Sequence, residues 1–245
     1  MYAPKHTSDF GDWARAIREA SNNRTKIWIQ VGTVKEALDA MRVASPDVLV
    51  LQGADAGGHG LAQGASVVSL VPEVCDALSP NAVPIIAAGG ITDGRGVAAA
   101  LALGASGVVM GTRFLAASEA GIAAGWQKEV VKTSDGGVST SRSTLCDRLK
   151  GTVGWPAQYD GRAITNQGHK DAEGGMTDEE NRRRYQEEVK GGEEKAWGVS
   201  GRQVVYAGTG VGLVRGVKGA GEIVGEVREE AVRVLRGSAE MVSKL

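Results

Sequence analysis

The feature that most constrains the fold is an alternation of short apolar runs with helix-like stretches between about residues 25 and 125. The apolar runs cover 26–31, 47–52, 84–88 and 107–111. Strands that are apolar throughout, rather than at every second residue, are typical of sheets buried on both faces. Helices between such strands indicate right-handed βαβ units and therefore a parallel sheet. The sequence thus predicts an α/β fold.

The helix signals lie between these runs. Thr33 followed by Glu36 has the spacing of a capping box, which predicts a helix through Val43. Further helices are predicted over 68–78 and 93–103. Only four strands are evident, whereas a closed (β/α) barrel has eight and spans about 250 residues. The predicted fold is therefore the C-terminal half of a TIM-type (β/α) barrel, with about four parallel βα units and a partly helical C-terminal extension.

The pattern changes after about residue 130. Residues 132–176 are rich in Gly, Ser, Thr and Asp, and residues 208–212 form a glycine-rich loop. Charged and amphipathic helices are predicted over 177–190 and 219–236. The sequence therefore predicts three parts. Residues 1–24 form an irregular or helical N-terminal segment, residues 25–130 a βα half-barrel, and residues 131–245 a loop-rich and helical C-terminal extension.

Composition excludes several classes of protein. With 28 basic and 29 acidic residues the net charge is −1, which argues against a globally basic nucleic-acid binder. No apolar run approaches the roughly 20 residues of a membrane span. Two cysteines, Cys75 and Cys146, are too few for a disulfide framework or a multi-cysteine metal site. The sequence therefore predicts no nucleic-acid partner, no membrane partner and no metal.

The termini bear on localisation. The first residues are polar and lack the apolar stretch of a secretory signal. The last three, Ser243, Lys244 and Leu245, have the form of a peroxisomal address. The predicted localisation is therefore cytoplasmic or peroxisomal.

Several conspicuous residues are interpreted as structural. His6 and His169 lie in polar segments without a pattern, and Cys75 falls on the apolar side of a predicted helix. Residues 182–184 are three arginines among many acidic residues, which favours a solvated helix face. For Trp155 a packing role is the default.

The first chemical motif is Gln-Gly-Ala-Asp-Ala-Gly-Gly-His-Gly at 52–60, directly after a predicted strand. Parallel α/β proteins place ligand sites at this end of their strands. The 36 glycines of the chain suggest close backbone approaches, and those of this motif would admit a flat ligand. The Gln52 amide suits a heterocycle, and His59 suits a general base. The alternative is a glycine-rich loop with a solvent-exposed histidine.

Two further motifs follow the next two strands. Ala-Ala-Gly-Gly-Ile-Thr-Asp-Gly-Arg-Gly occupies 87–96, and Met-Gly-Thr-Arg-Phe occupies 110–114. Exposed N–H groups at two successive strand ends predict a phosphate cradle, to which a helix N-terminus adds a favourable dipole. In (β/α) barrels the phosphate site lies after strands seven and eight. The alternative is ordinary turn glycine.

In this order the three motifs resemble those of the nitronate monooxygenase family, formerly called 2-nitropropane dioxygenases. Leu51 stands where valine is usual before the first motif. The segment 149–162, Leu-Lys-Gly-Thr-Val-Gly-Trp-Pro-Ala-Gln-Tyr-Asp-Gly-Arg, resembles the fungal branch. The resemblance extends over about 25–235.

The resemblance implies an FMN-dependent barrel that oxidises alkyl nitronates, such as propionate 3-nitronate, with dioxygen to a carbonyl compound and nitrite. His59 would be the active-site histidine, either as a base or as the group that orients the anionic substrate. Gln52 and Gly57 would contact the isoalloxazine, and 208–212 would lie near the flavin. The residues expected to hold the FMN phosphate are Gly89, Gly90, Met110, Gly111 and Thr112. The FMN site would therefore lie in the half-barrel at 25–130.

The chain departs from the family pattern at its start. Family members begin with strands that carry a Pro-x-x-x-Ala-Pro-Met-type motif, and nothing before residue 25 matches it. We therefore expect an N-terminally truncated chain. A second hypothesis is a catalytically impaired fragment that folds as a homodimer of half-barrels or binds phosphate-bearing ligands. A third is an FMN-dependent enoyl reductase, because that family has similar glycine motifs.

Overall fold

The structure is a computed structural model that describes residues 1–80, 83–190 and 194–244. Two 3₁₀ helices cover Glu194–Ala196 and Thr209–Leu213. The strands within these ranges are β1 (Trp28–Val31), β2 (Val48–Gln52), β3 (Gly58–Leu61), β4 (Ile85–Ala88), β5 (Gly107–Val109), β6 (Thr140–Ser143) and β7 (Tyr159–Ile164). The α-helices are α1 (Asp9–Ala20), α2 (Val34–Ala44), α3 (Val67–Leu78), α4 (Gly94–Ala102), α5 (Thr112–Leu115), α6 (Ala124–Lys132), α7 (Gly136–Ser139), α8 (Leu145–Lys150), α9 (Gln167–Glu173), α10 (Asp178–Val189) and α11 (Ala220–Val242).

The chain forms two compact units. The first consists of Met1–Asp55, Gln63–Met110 and Gly225–Leu245, and the second of Ala56–Ala62 and Gly111–Val224. Each unit therefore combines segments that are distant in the sequence. The division at residues 24 and 130 made from the sequence stays a prediction.

A four-stranded parallel sheet forms the centre of the first unit. Its strand order is β1-β2-β4-β5, and all three strand pairs are parallel. Ile29, Leu49 and Ile85 lie side by side across the sheet and belong to the same buried cluster as residues of α1, α2 and α3. The predicted α/β fold with a parallel sheet is confirmed, and each of the four strands lies within its predicted apolar run.

The capping box of α2 forms as the sequence predicts. The Thr33 hydroxyl accepts the Glu36 N–H at 3.1 Å, and the Glu36 carboxylate accepts the N–H of Gly32 at 2.8 Å. Both groups satisfy amide donors that a helix start leaves without partners. Burial raises the pKa of Glu36. The helix begins at Val34 and continues one residue past the predicted Val43.

The second unit contains an antiparallel sheet that the sequence analysis does not predict. Its strand order is β3-β7-β6. Two of these strands lie in the C-terminal extension, which was expected to be loop-rich and helical, and that expectation is wrong for them. The reason is composition, because β3 reads Gly-His-Gly-Leu and β6 reads Thr-Ser-Arg-Ser, with no apolar run in either. Strands held by neighbours rather than by their own apolar residues leave little trace in a sequence.

The charged helix predicted over 177–190 is α10, and its exposed side chains form several ion pairs. The Arg183 guanidinium pairs with Glu180 and Glu187, and Arg184 pairs with Glu180. All three arginines at 182–184 are exposed, as a solvated face requires. No helix in the described part of the chain combines the length and the apolar composition that crossing a membrane needs. Leu245, the last residue of the predicted peroxisomal tripeptide, lies outside the described residues.

Candidate active site

In the first unit, three of the predicted site residues lie at one edge of the parallel sheet. Gln52 pairs in register with Ala88, which in turn pairs with Val109. Gln52, Gly89 and Met110 therefore stand at the carboxyl ends of three adjacent strands. This is the edge at which parallel sheets bind ligands.

The two glycines after β4 need a conformation that other residues avoid. Gly89 has φ +108° and Gly90 has φ +74°. A Cβ atom on Gly90 would lie 3.0 Å from the Cβ of Asp55. Among the described residues, none accepts a hydrogen bond from the N–H of Gly89 or Gly90. The turn thus presents two amide donors that are available to an anion.

The N-terminus of α4 is already occupied by carboxylates. Asp93 accepts the N–H groups of Arg95 at 3.0 Å and Gly96 at 3.1 Å, and Glu230 of α11 accepts that of Gly94 at 2.7 Å. A positive helix end that carries two carboxylates no longer favours a further anion. The dipole of α4 therefore does not provide the contribution expected for phosphate binding. Binding of a phosphate at this edge would depend on the amide groups of the loops.

In the second unit, two predicted residues converge on the loop that follows Tyr206. A Cβ atom on Gly57 would lie 2.3 Å from the backbone nitrogen of Gly208. The N–H of Gly208 also donates to the Thr112 hydroxyl at 2.9 Å. The absent side chain of Gly57 thus makes room for the protein's own backbone. Its assignment to the isoalloxazine stays a prediction.

The N–H groups of Gly111 and Thr112 donate to no acceptor within the described ranges. A Cβ atom on Gly111 would meet no described atom within 4 Å. Open space beside available amide donors is what a phosphate-binding turn requires.

His59 forms a close pair with a carboxylate that the sequence analysis did not identify. Its Nε2 lies 3.0 and 2.9 Å from the two carboxylate oxygens of Asp147. The His59 side chain is 14% exposed and that of Asp147 is 6% exposed. The expected alternative, a solvent-exposed histidine, is therefore wrong. The Thr152 hydroxyl donates to the same carboxylate at 2.8 Å.

Aromatic rings enclose the imidazole of His59. The Trp155 ring is stacked on it, with centroids 3.8 Å apart and planes 12° apart, and the Tyr206 ring is tilted at 5.4 Å. Gly161 lies opposite His59 in the sheet, and a Cβ there would come within 2.9 Å of the Tyr206 ring. The geometry gives Trp155 a place beside the predicted catalytic residue.

The Tyr206 hydroxyl is buried and makes no well-aligned hydrogen bond within the described structure, although the Asp147 carboxylate lies close enough to help raise its pKa. Burial, followed by the nearby Cys146 and Asp147, raises the pKa of this phenol. It is therefore a neutral donor beside His59. A buried hydroxyl without a well-aligned partner is a natural contact for a bound molecule.

A second buried histidine has a structural role. Nδ1 of His169 lies 3.0 Å from the Asn166 side-chain oxygen, within the capping box of α9. Its Nε2 lies 3.9 Å from the Cys146 sulfur, whose pKa burial raises to about 12. The thiol is thus protonated at neutral pH and unsuited to nucleophilic catalysis. The described residues contain no group of three or more His, Cys, Asp or Glu side chains able to hold a metal ion.

The predicted site residues therefore fall into two groups. The first unit holds Gln52, Gly89, Gly90 and Met110, and the second holds Gly57, His59, Gly111 and Thr112. The residues that sequence analysis missed are Asp147 and Tyr206. The segment 149–162, singled out for its resemblance to the fungal branch, supplies Trp155, which stacks on His59, and Thr152, which donates to Asp147. This segment was the sequence feature that pointed to the surroundings of His59.

Comparison with known proteins identifies the family of the chain. The family model for nitronate monooxygenase matches residues 10–145. The nitronate monooxygenase npaC of Metarhizium robertsii is 48% identical over 238 residues, which cover 96% of this chain and 66% of the relative. A nitronate monooxygenase of Neurospora crassa is 44% identical over 209 residues, which cover 84% of this chain and 53% of the relative. The chain thus spans between half and two thirds of the length of these relatives.

Solved structures show the same fold. FabK from Thermotoga maritima matches with a TM-score of 0.70 and 27% identity over 92% of this chain and 68% of that one. A nitroalkane oxidase from Streptomyces ansochromogenes matches with a TM-score of 0.69 over 92% of this chain and 62% of that one, at 22% identity, and shows the fold alone. The family model matches more than half of the residues of this chain, and two relatives are more than 40% identical to it. The chain therefore belongs to the nitronate monooxygenase family.

Proposed function

We propose that this chain serves an FMN-dependent oxidation of alkyl nitronates, such as propionate 3-nitronate, with dioxygen to a carbonyl compound and nitrite. The observation that carries the proposal is the sheet edge at which Gln52, Gly89 and Met110 end three adjacent parallel strands. Membership of the nitronate monooxygenase family supplies the reaction class.

The four parallel strands support a further part of the proposal, which is that they form the C-terminal half of a (β/α) barrel. In such barrels the loops after the last two strands bind phosphate. Here β4 and β5 are neighbours and are followed by the two glycine motifs.

The residues present fit an FMN phosphate. The resemblance assigns the phosphate to Gly89, Gly90, Met110, Gly111 and Thr112, and within each unit the amide donors of these glycines and of Thr112 are available. The bound flavin would supply the redox chemistry, and the protein would supply position and electrostatics. The resemblance assigns Gln52 and Gly57 to the isoalloxazine, toward which the Gln52 amide could both donate and accept.

His59 is the proposed base. Its imidazole is enclosed by Trp155 and Tyr206 and paired with Asp147, so that it is shielded from water and held in one orientation. A base in this position removes the proton α to the nitro group of a neutral nitroalkane and thereby forms the nitronate. The neutral Tyr206 hydroxyl is suited to donate to an oxygen of the nitronate anion.

The first experiment measures the flavin-to-protein ratio of the purified chain, together with oxygen uptake and nitrite release on propionate 3-nitronate. Near-stoichiometric FMN with nitronate-dependent nitrite release is expected. Oxidation of NADPH by an enoyl thioester without nitronate turnover would instead indicate an enoyl reductase. Phosphate-ligand binding without flavin would indicate an impaired fragment. Gel filtration of the same preparation measures whether the chain forms a homodimer.

A charge placed at Gly111 tests the phosphate assignment. Because a Cβ there meets open space, Gly111→Asp should fold normally. Its carboxylate would repel a phosphate within a few ångströms, which should raise the Kd for FMN at least about tenfold. Fluorescence titration with FMN measures the effect. Gly111→Asn has nearly the same shape without the charge, and equal weakening by both variants would contradict the assignment.

A further inference from the structure

The pair formed by His59 and Asp147 defines which imidazole nitrogen can act as a base. We propose that Asp147 is a positioning residue that holds the His59 proton on Nε2 and so keeps the lone pair on Nδ1. The proposal deepens the function proposed above and rests on it for the role of His59. It assigns to Asp147 a task that the sequence motifs do not indicate.

The hydrogen-bond chemistry of the pair sets the tautomer. Both carboxylate oxygens lie within 3.0 Å of Nε2, and a carboxylate can only accept hydrogen bonds. Nε2 therefore carries a proton. In a neutral imidazole the other nitrogen, Nδ1, then has the lone pair. Because both side chains are mostly buried, water competes little for these bonds, and the preference is stronger than at a surface.

Asp147 is itself held in place by the end of its helix. Gly151, at φ +77°, ends α8, and the backbone N–H groups of Gly151 and Thr152 donate to the Asp147 carbonyl at 2.7 and 2.9 Å. The same turn brings the Thr152 hydroxyl to Oδ1. The hydrogen bonds within this turn therefore orient the Asp147 carboxylate independently of its contact with the imidazole.

The ring of His59 has a second constraint that acts in a different direction. Stacking on Trp155 fixes the plane of the imidazole, whereas the bond to Asp147 fixes its rotation within that plane. Without the carboxylate, the bond that fixes the rotation of the ring within this plane is lost, whereas the stacking on Trp155 is kept. Removal of Asp147 should therefore affect the position of the lone pair more than the position of the ring.

The decisive measurement is the tautomer of His59, read from two-bond ¹⁵N–¹H correlations in protein labelled with ¹⁵N-histidine. The chain has three histidines, and the spectra of His6→Gln and His59→Gln assign the signals. We expect the Nε2–H form of His59 in the unaltered protein. In Asp147→Asn, whose amide can donate or accept, we expect a mixture of tautomers and a kcat/KM for neutral nitroalkanes lower by about 10²-fold.

Thr152→Val is the matched control, because it removes a hydrogen bond from the same carboxylate but leaves the carboxylate on Nε2. In Thr152→Val, His59 should have the same tautomer as in the unaltered protein. A predominant Nδ1–H form in the unaltered protein overturns the proposal, whether or not any variant folds. So does an unchanged tautomer in Asp147→Asn. Absence of nitronate turnover together with the Nε2–H form would instead overturn the proposed function and support the positioning by Asp147.

Discussion

Replacement of His59 by asparagine should lower kcat/KM for a neutral nitroalkane by about 10²- to 10⁴-fold, the usual contribution of a general base. For a nitronate prepared beforehand the loss should stay within about tenfold, since the proton that His59 would remove is already gone. Stopped-flow or oxygen-electrode assays with a nitroalkane and its own nitronate measure both values on one enzyme. The ratio of the two losses, rather than either loss alone, identifies the role of His59.

Controls separate chemistry from structure in this experiment. His6→Asn changes a histidine that is exposed and should leave both activities unaltered. Flavin content and circular dichroism of His59→Asn should match the unaltered protein, although a ring stacked on Trp155 is lost. Equal losses on nitroalkane and nitronate would mean that His59 orients the anion and is not a base. Unchanged turnover of both would remove His59 from the mechanism.

The sequence is informative about the parallel sheet for a physical reason. Strands such as β2, in which Leu49 and Leu51 are fully buried and Val48 and Val50 nearly so, must be apolar at each of these buried positions. Local signals such as the capping box at Thr33 act within a few residues and are equally visible. Both kinds of signal depend on neighbours along the chain, and both are confirmed by the structure.

The surroundings of the candidate site depend on contacts between residues far apart in the sequence. Asp147 is 88 positions from His59, and Glu230 is 136 positions from Gly94. Neither carboxylate stands in a periodic pattern that identifies its partner. Glycine is similarly ambiguous, because its presence shows that something lies close and does not show what. At Gly57 the neighbour is the backbone of Ala207 and Gly208.

This close approach predicts a large loss of stability for Gly57→Ala. A Cβ atom would lie 2.3 Å from the nitrogen of Gly208 and 2.4 Å from the carbonyl carbon of Ala207. Both are backbone atoms, so no side-chain rotation can relieve the overlap. Overpacking of this kind costs about 3 kcal/mol or more when backbone must move. In a chain of this size that corresponds to a fall in Tm of roughly 6–12 °C.

Gly137→Ala is the matched control, because a Cβ on Gly137 meets no described atom within 4 Å and the residue lies in α7. The same added methyl group should there leave Tm unchanged or raise it slightly, since alanine favours a helix by about 1 kcal/mol over glycine. Calorimetry of the two variants measures the contrast. The loop that Gly57 supports includes Tyr206 and the N–H that binds Thr112. Gly57→Ala protein that remains folded should therefore also bind FMN more weakly, whereas equal Tm values for both variants would show that the loop does not pack on Gly57.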